Sequence, residues 1–232
     1  MGEQASRIFQ VGEPTLDVIA AAEFASGEEL ARDLSLDIAA PMLLATMHPV
    51  TTEFDDAPHQ MRALLEALDE LSIQTVFTYP NADAGGRSMV AVLESFRDRP
   101  WLRIVPHLGS RNYLGLMRMV AAAVGNSSSG ILEASSFKTP AVNIGTRQHG
   151  RTRACNVVDS GYETDDIKKT ILFVMQNQEF RRSLAGCVNP YGDGFTAKKT
   201  AKILSTLQIS PSLVAKWLAS NNKFVPEQWD AV

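Results

Sequence analysis

The sequence predicts an α/β protein built on a parallel sheet with helices on both faces. Two patterns carry that expectation. Apolar segments of four to seven residues alternate with helical segments of ten to fifteen, the rhythm of repeated strand–helix–strand units. The residues with unusual chemistry gather in the loops that follow the strands. In parallel sheets ligands sit beyond the carboxyl ends of the strands, so those loops are where function is sought.

Taken in order, Ser6–Leu16 (SRIFQVGEPTL) is a short apolar run broken at Gly12–Pro14, expected as an edge strand entering a turn. Asp17–Leu34 is Ala- and Glu-rich and helical in tendency, with an interruption at Gly27. Pro41–Met47 is a bounded apolar run that fits a buried strand. Pro49 disfavours helical geometry at His48, making His48–Glu53 a loop. Ala57–Leu71 sets apolar residues at 61, 64, 65, 68 and 71, one face of a helix, with Pro58 suited to its first turn. Ile73–Thr78, β-branched and aromatic, is a strand that ends in the turn-rich Tyr79–Gly86. Arg87–Arg97 is a helix and Trp101–Val105 a short strand. Ser110–Val120 is an amphipathic helix that Ser110 could cap. Val120–Gly125 is a strand leading through Asn126–Gly130 into a helix at Ile131–Phe137. Ala141–Ile144 and Cys155–Val158 are strands on either side of the loop Gly145–Arg153. Glu163–Asn177 is a helix, Asn189–Gly194 a turn and Phe195–Leu207 a closing helix, with one more helical segment beyond Ser210.

Composition narrows the class. Twenty-two basic and 26 acidic residues give a net charge of −4, so nothing argues for a nucleic-acid or anionic-membrane surface. Two cysteines, Cys155 and Cys187, read as reduced thiols rather than a disulfide framework or zinc site. The longest uncharged apolar run, Ile38–Met47, falls far short of the ~20 residues that span a bilayer. The opening MGEQASRIF lacks the basic start and apolar core of a signal peptide. A soluble, cytoplasmic protein is expected. Metal-ligand spacing, a nucleophile elbow, a Walker loop and GxGxxG are all lacking, which disfavours metal, acyl-transfer and dinucleotide chemistry. No cofactor is expected.

Four loops carry candidate chemistry. Gly125–Gly130 (GNSSSG) opens a helix whose unsatisfied N–H groups suit an anion, and Ser127, Ser128 and Ser129 add hydroxyls. It reads equally as a Ser-rich cap with nothing bound. Glu133, a turn into that helix, either accepts hydrogen bonds from sugar hydroxyls or interacts with the helix dipole. Arg147, Arg151 and Arg153 follow a strand; guanidinium forks match phosphate oxygens, although a solvated basic loop has the same composition. Arg147 stands nearest the strand and is the first choice. His48 could donate to a phosphate, act as an acid–base group, or be structural. Asn81 and Asp83 could contact a sugar or cap the next helix. His59, His107 and His149 carry no comparable argument.

The ordered segments HPVTTE, YPNADAGG, VGNSSSGILEA, PAVNIGTRQHGR and NPYGDG resemble the hydrolysing UDP-N-acetylglucosamine 2-epimerases, over roughly Arg7 to Leu207. The resemblance implies a Rossmann-like sheet forming one half of a GT-B-type two-domain fold. It implies loss of UDP to a glycal-type intermediate, then addition of water with inversion at C2, giving N-acetylmannosamine and UDP. It places the diphosphate on Ser127 and Ser128, with Asn126 and Ser129 also in the UDP-binding set, the ribose on Glu133, and Arg147 on the phosphate side. His48 meets the diphosphate or leaving group as the catalytic candidate, and Asn81 and Asp83 lie by the sugar or at the domain interface.

The resemblance also implies a domain plan and partners. Residues 1–40 are expected to be inter-domain linker, 41–207 the UDP-binding domain and 208–232 a helical tail. The expected partners are UDP-N-acetylglucosamine or UDP and an N-terminal Rossmann-like domain absent from this sequence, in a family whose members dimerise. Turnover by the chain alone is expected to be negligible. Two other readings stand beside the enzyme: a non-catalytic nucleotide-binding or regulatory half, and the donor domain of a GT-B glycosyltransferase.

Overall fold

The computed structural model describes residues 4–215. Its elements run α1 (Pro14–Ala21), α2 (Gly27–Leu34), β1 (Met42–Thr46), α3 (Ala57–Leu71), β2 (Gln74–Thr78), α4 (Gly86–Glu94), β3 (Leu102–Val105), α5 (Gly109–Met119), β4 (Ala122–Gly125), α6 (Ser129–Leu132), β5 (Ala141–Ile144), β6 (Val157–Ser160), α7 (Thr164–Gln176), α8 (Gln178–Ser183), α9 (Thr196–Thr206) and α10 (Pro211–Val214). Of the helical tail expected over 208–232, residues 216–232 lie outside the described residues.

Six strands form one parallel sheet in the order β3-β2-β1-β4-β5-β6. All five residues of β1 are buried, because helices cover both faces of a parallel sheet. Side chains alternate across the strand. Leu43 and Ala45 join a core with Met61, Leu64 and Leu68 of α3, Met89 and Leu93 of α4, and Ile167 and Ile171 of α7. Met42 and Leu44 join the opposite layer with Leu30 of α2 and Leu116 and Met117 of α5. Fully burying each such aliphatic side chain contributes roughly 1.5–3 kcal/mol, so the two layers fix the sheet from both sides.

Four local expectations are corrected. Ser6–Leu16 is not an edge strand: a 3-10 turn at Ala5–Arg7 leads through extended chain into α1. Glu13 caps α1 and Pro14 stands in its first turn, a helix-start signal that outweighs the short apolar run before it. The break before α2 falls at Ala22–Ala25. Gly27 opens α2 behind a Ser26–Glu29 capping box rather than interrupting a helix. Ser110 lies inside α5, whose N-cap is Leu108 with no side-chain bond. The strand expected at Cys155–Val158 sits two residues later, since Ala141 must pair with Val157. Buried Asn156 holds the bend before it, donating to the Thr139 carbonyl.

The chain's two described ends meet. Asp17 of α1 accepts from the backbone N–H groups of Thr196 and Ala197 at 2.7 and 2.6 Å, capping α9 from another element. The Glu13 N–H donates to the Tyr191 carbonyl at 2.8 Å. These bonds pin α1 against the NPYGDG turn.

Candidate nucleotide-sugar site

Strand order reverses between β1 and β4, and a crevice opens beyond their carboxyl ends. Gly125 ends β4 at φ +125°, where a Cβ would collide with the Thr46 carbonyl of β1. Only glycine lets the two strand ends approach this closely. The next residue, Asn126, ties the loops together. Its Oδ1 accepts from the His48 N–H at 2.7 Å and its Nδ2 donates to the His48 carbonyl at 2.8 Å. Its own carbonyl accepts from Arg147 Nη1 at 3.1 Å and Gln148 Nε2 at 2.8 Å. Asn126 is fully buried and its amide is occupied, so it positions the loops.

His48 is half-buried at the loop mouth. The Asn81 N–H donates to His48 Nδ1 at 3.0 Å, so the ring proton of the neutral imidazole sits on Nε2. Burial, reinforced by the Arg147 charge and opposed by Asp83, pushes the pKa of His48 down to about 4. At neutral pH the ring is therefore an uncharged donor.

A cleft of about 550 Å³ collects His48, Ser127, Ser128, Ser129 and Glu133. Thr15 and Val18 of α1, Tyr79, and the segment Pro106–Ser110 complete its walls. The helix expected at Ile131–Phe137 is instead the four-residue α6 followed by a 3-10 turn at Ala134–Phe137. A single turn carries little macrodipole, so hydroxyls and cations outweigh a helix-dipole term here. Glu133 falls at the C-cap of α6, where the dipole favours cations, and that explanation of the residue lapses. Its Oε2 is buried without a hydrogen-bond partner among the described residues, and burial raises its pKa. A buried acceptor left unpaired costs about 1–3 kcal/mol, more when charged, unless a ligand supplies the donor.

Arg147 and Asp83 line a neighbouring crevice of about 440 Å³ with Pro49, Thr51, Thr52, Glu53 and Thr146. Burial lowers the pKa of Arg147, and Asp83 opposes the shift. The three arginines do not face the serine loop together. Arg153 pairs with Asp159 and bonds the Gln148 carbonyl, while Arg151 is exposed. Neither Asn81 nor Asp83 caps α4, whose N-cap is Gly85 with no side-chain bond. Asn81 Nδ2 donates to Asp83 at 2.6 Å. His59 and His149 are exposed, whereas exposed His107 lines the main cleft.

Sequence reasoning missed two devices. Glu53, read only as the end of a loop, accepts from Thr146 Oγ1, from Tyr162 Oη at 2.7 Å and from Gln60 Nε2 at 2.9 Å. These bonds hold its carboxyl below the usual range. They join α3 to the loops after β5 and β6, and Gly145 at φ +69° lies flat against the Tyr162 ring. The second device is Tyr113 of α5, whose hydroxyl meets Ser129 Oγ under the cleft floor. Both are long-range contacts with no local spacing to announce them.

Solved structures with this arrangement include the UDP-GlcNAc 2-epimerase of Neisseria meningitidis bound to UDP-GlcNAc. Its TM-score is 0.66 at 15% identity, covering 85% of this chain and 55% of that one. The Methanocaldococcus jannaschii UDP-GlcNAc 2-epimerase in complex with UDP-GlcNAc and UDP matches at TM-score 0.65 and 15% identity, over 88% of this chain and 56% of that one. These likenesses establish the fold, one Rossmann-like half of GT-B type. Among curated relatives, the UDP-N,N'-diacetylbacillosamine 2-epimerase (hydrolyzing) of Legionella pneumophila is 31% identical over 216 residues, 93% of this chain and 56% of its own length. The GDP/UDP-N,N'-diacetylbacillosamine 2-epimerase (hydrolyzing) of Campylobacter jejuni is 33% identical over 186 residues, 79% of this chain and 48% of its own. The chain thus spans about half the length of these relatives. The family described as UDP-N-acetylglucosamine 2-epimerase matches residues 1–205, and with the cleft, the fold and the relatives in agreement the chain belongs to that family.

Proposed function

We propose that this chain is the UDP-binding half of a hydrolysing 2-epimerase acting on a UDP-linked 2-acetamido sugar. The observation that carries the reading is the unpartnered, buried Glu133 Oε2 in the same cleft as the Ser127 and Ser128 hydroxyls and His48. A ribose diol supplies the two donors a carboxylate wants, and a diphosphate accepts what the serines and imidazole offer. Residues 1–40 then act as the connecting segment, 41–207 as the nucleotide domain and 208–232 as its tail.

Elimination breaks the C1–O bond to UDP and removes the proton from C2, leaving a glycal-type intermediate. Water then adds at C1 as C2 is reprotonated on its other face. On this side of the sugar the chain's contribution is to stabilise the departing diphosphate. Ser127 and Ser128 donate to it, and Arg147 supplies charge from the neighbouring crevice. Neutral His48 donates through Nε2 without first having to lose or gain a proton. Asp83, beside Arg147, sits toward the sugar or the domain interface. The sugar is N-acetylglucosamine or, following the two bacterial relatives, a 2,4-diacetamido sugar.

Calorimetric titration with UDP tests the reading. Saturable binding weakened at least tenfold by Arg147→Ala is the expected result, since a charge-assisted hydrogen bond is worth about 1.5–3 kcal/mol. Absence of UDP binding by the parent chain would overturn it. With a complementing N-terminal half supplied, sugar transfer to an acceptor instead of release would favour a transferase.

A further inference from the structure

We infer that Tyr113 is a positioning residue that aims the Ser127 hydroxyl proton at the diphosphate, an inference that rests on the nucleotide reading above. The direction of the hydroxyl chain carries it. Ser129 Oγ donates to Ser127 Oγ at 3.0 Å, which uses the single proton Ser129 has. The contact between Tyr113 Oη and Ser129 Oγ must therefore run from the phenol to the serine. Ser127 Oγ accepts again from the Ser129 N–H at 3.4 Å, so both of its lone-pair positions are engaged. Its own proton has the nearby Tyr113 oxygen as an alternative and can turn to the cleft that Ser127 lines. A hydroxyl that is otherwise free to rotate is biased toward donating into the cleft, which suits an acceptor such as a phosphate oxygen.

The chain is anchored where the fold is least movable. Tyr113 packs into the core layer beneath α5, beside Thr46 at the end of β1. Burial raises the phenol's pKa above its ordinary value, which favours the protonated donor. Remove the phenol hydroxyl and Ser127 can turn to donate to Ser129, withdrawing from the ligand with little change in shape.

The test is a comparison of UDP with uridine, by calorimetry and by NMR titration, on the parent chain, Tyr113→Phe, Ser127→Ala and the double variant. Tyr113→Phe should bind UDP about tenfold more weakly and bind uridine unchanged, since only a phosphate contact is lost. Added to Ser127→Ala, it should have almost no further effect. Ser129→Ala, which cuts the chain at its middle, should reproduce the loss. Equal weakening of UDP and uridine, or full additivity with Ser127→Ala, would assign Tyr113 to packing alone and overturn the inference. Failure of the parent chain to bind UDP would show first and separately, and would overturn the nucleotide reading and this role with it.

Discussion

Glu133 illustrates a residue that works against the fold that holds it. Its Oε2 is buried and unpaired among the described residues, and burial raises its pKa from the ordinary 4.5. A raised native pKa gives stability that is present below the unfolded value and lost as pH rises through the native one. Glu133→Gln should therefore raise the melting temperature at neutral pH by a few degrees, with the gain vanishing below about pH 4. The same variant should weaken UDP binding about tenfold, because an amide places a donor where the diol needs acceptors. Melting curves across pH and a UDP titration check both arms, and a variant less stable than the parent at pH 7 would refute the stability half. His48 has the opposite sign. Its native pKa of about 4 lies below the ordinary 6.5, so the stability from its neutral form is present above pH 6.5 and lost as pH falls toward 4. An NMR titration should find the imidazole midpoint near 4 without ligand and higher with UDP bound. A midpoint near 6.5 would remove the argument for a preset neutral donor.

The core strands were legible because burial on both faces writes a continuous apolar run, as in Pro41–Met47, which contains β1. α3 was legible to the residue from its 3.6-residue periodicity. Where local chemistry competed, reading failed. The apolar Ile8 and Phe9 suggested a strand, yet among the described residues no strand pairs with them, and the Glu-Pro start of α1 governs. The candidate residues fell in the expected loops because parallel topology puts them there, but which loops touch depends on strand order. That order separates Arg147 from the main cleft by the His48–Pro49 corner and turns Arg153 away to Asp159. Glu53 was invisible for the same reason, its partners lying 7, 93 and 109 positions away. Glu53→Gln should destabilise the fold by about 1 kcal/mol per hydrogen bond lost. It should also weaken UDP binding, since Thr146, next to Arg147, loses its anchor. Urea unfolding with parallel UDP titration measures both; unchanged affinity would show that Arg147 is held by the Asn126 carbonyl alone.

At the scale of the whole molecule, binding and turnover separate. The described residues gather donors: the Ser127 and Ser128 hydroxyls, a neutral imidazole and a guanidinium in the next crevice. Donors stabilise a leaving diphosphate, but elimination also needs a base for the C2 proton and a proton source for its other face. Glu133 is assigned to the diol and His48 is a donor whose free nitrogen is Nε2–H, with Nδ1 already engaged by Asn81. Elimination also needs a site closed to water, so that a glycal-type intermediate is hydrated on one face only. The cleft has walls from the sheet ends, α1 and α5. The chain spans 56% and 48% of the lengths of the two bacterial relatives, and on the proposed reading the opposing wall comes from residues other than those described here. We therefore expect the 232-residue chain to bind UDP yet release no free 2-acetamido sugar from UDP-N-acetylglucosamine or its 2,4-diacetamido counterpart. Activity should appear when a domain carrying the missing acid–base groups is supplied in trans. Chromatographic detection of sugar and UDP, with and without that domain, decides the matter. Sugar released by the chain alone, abolished by His48→Asn, would move the acid–base chemistry onto the residues described here and end the half-site account.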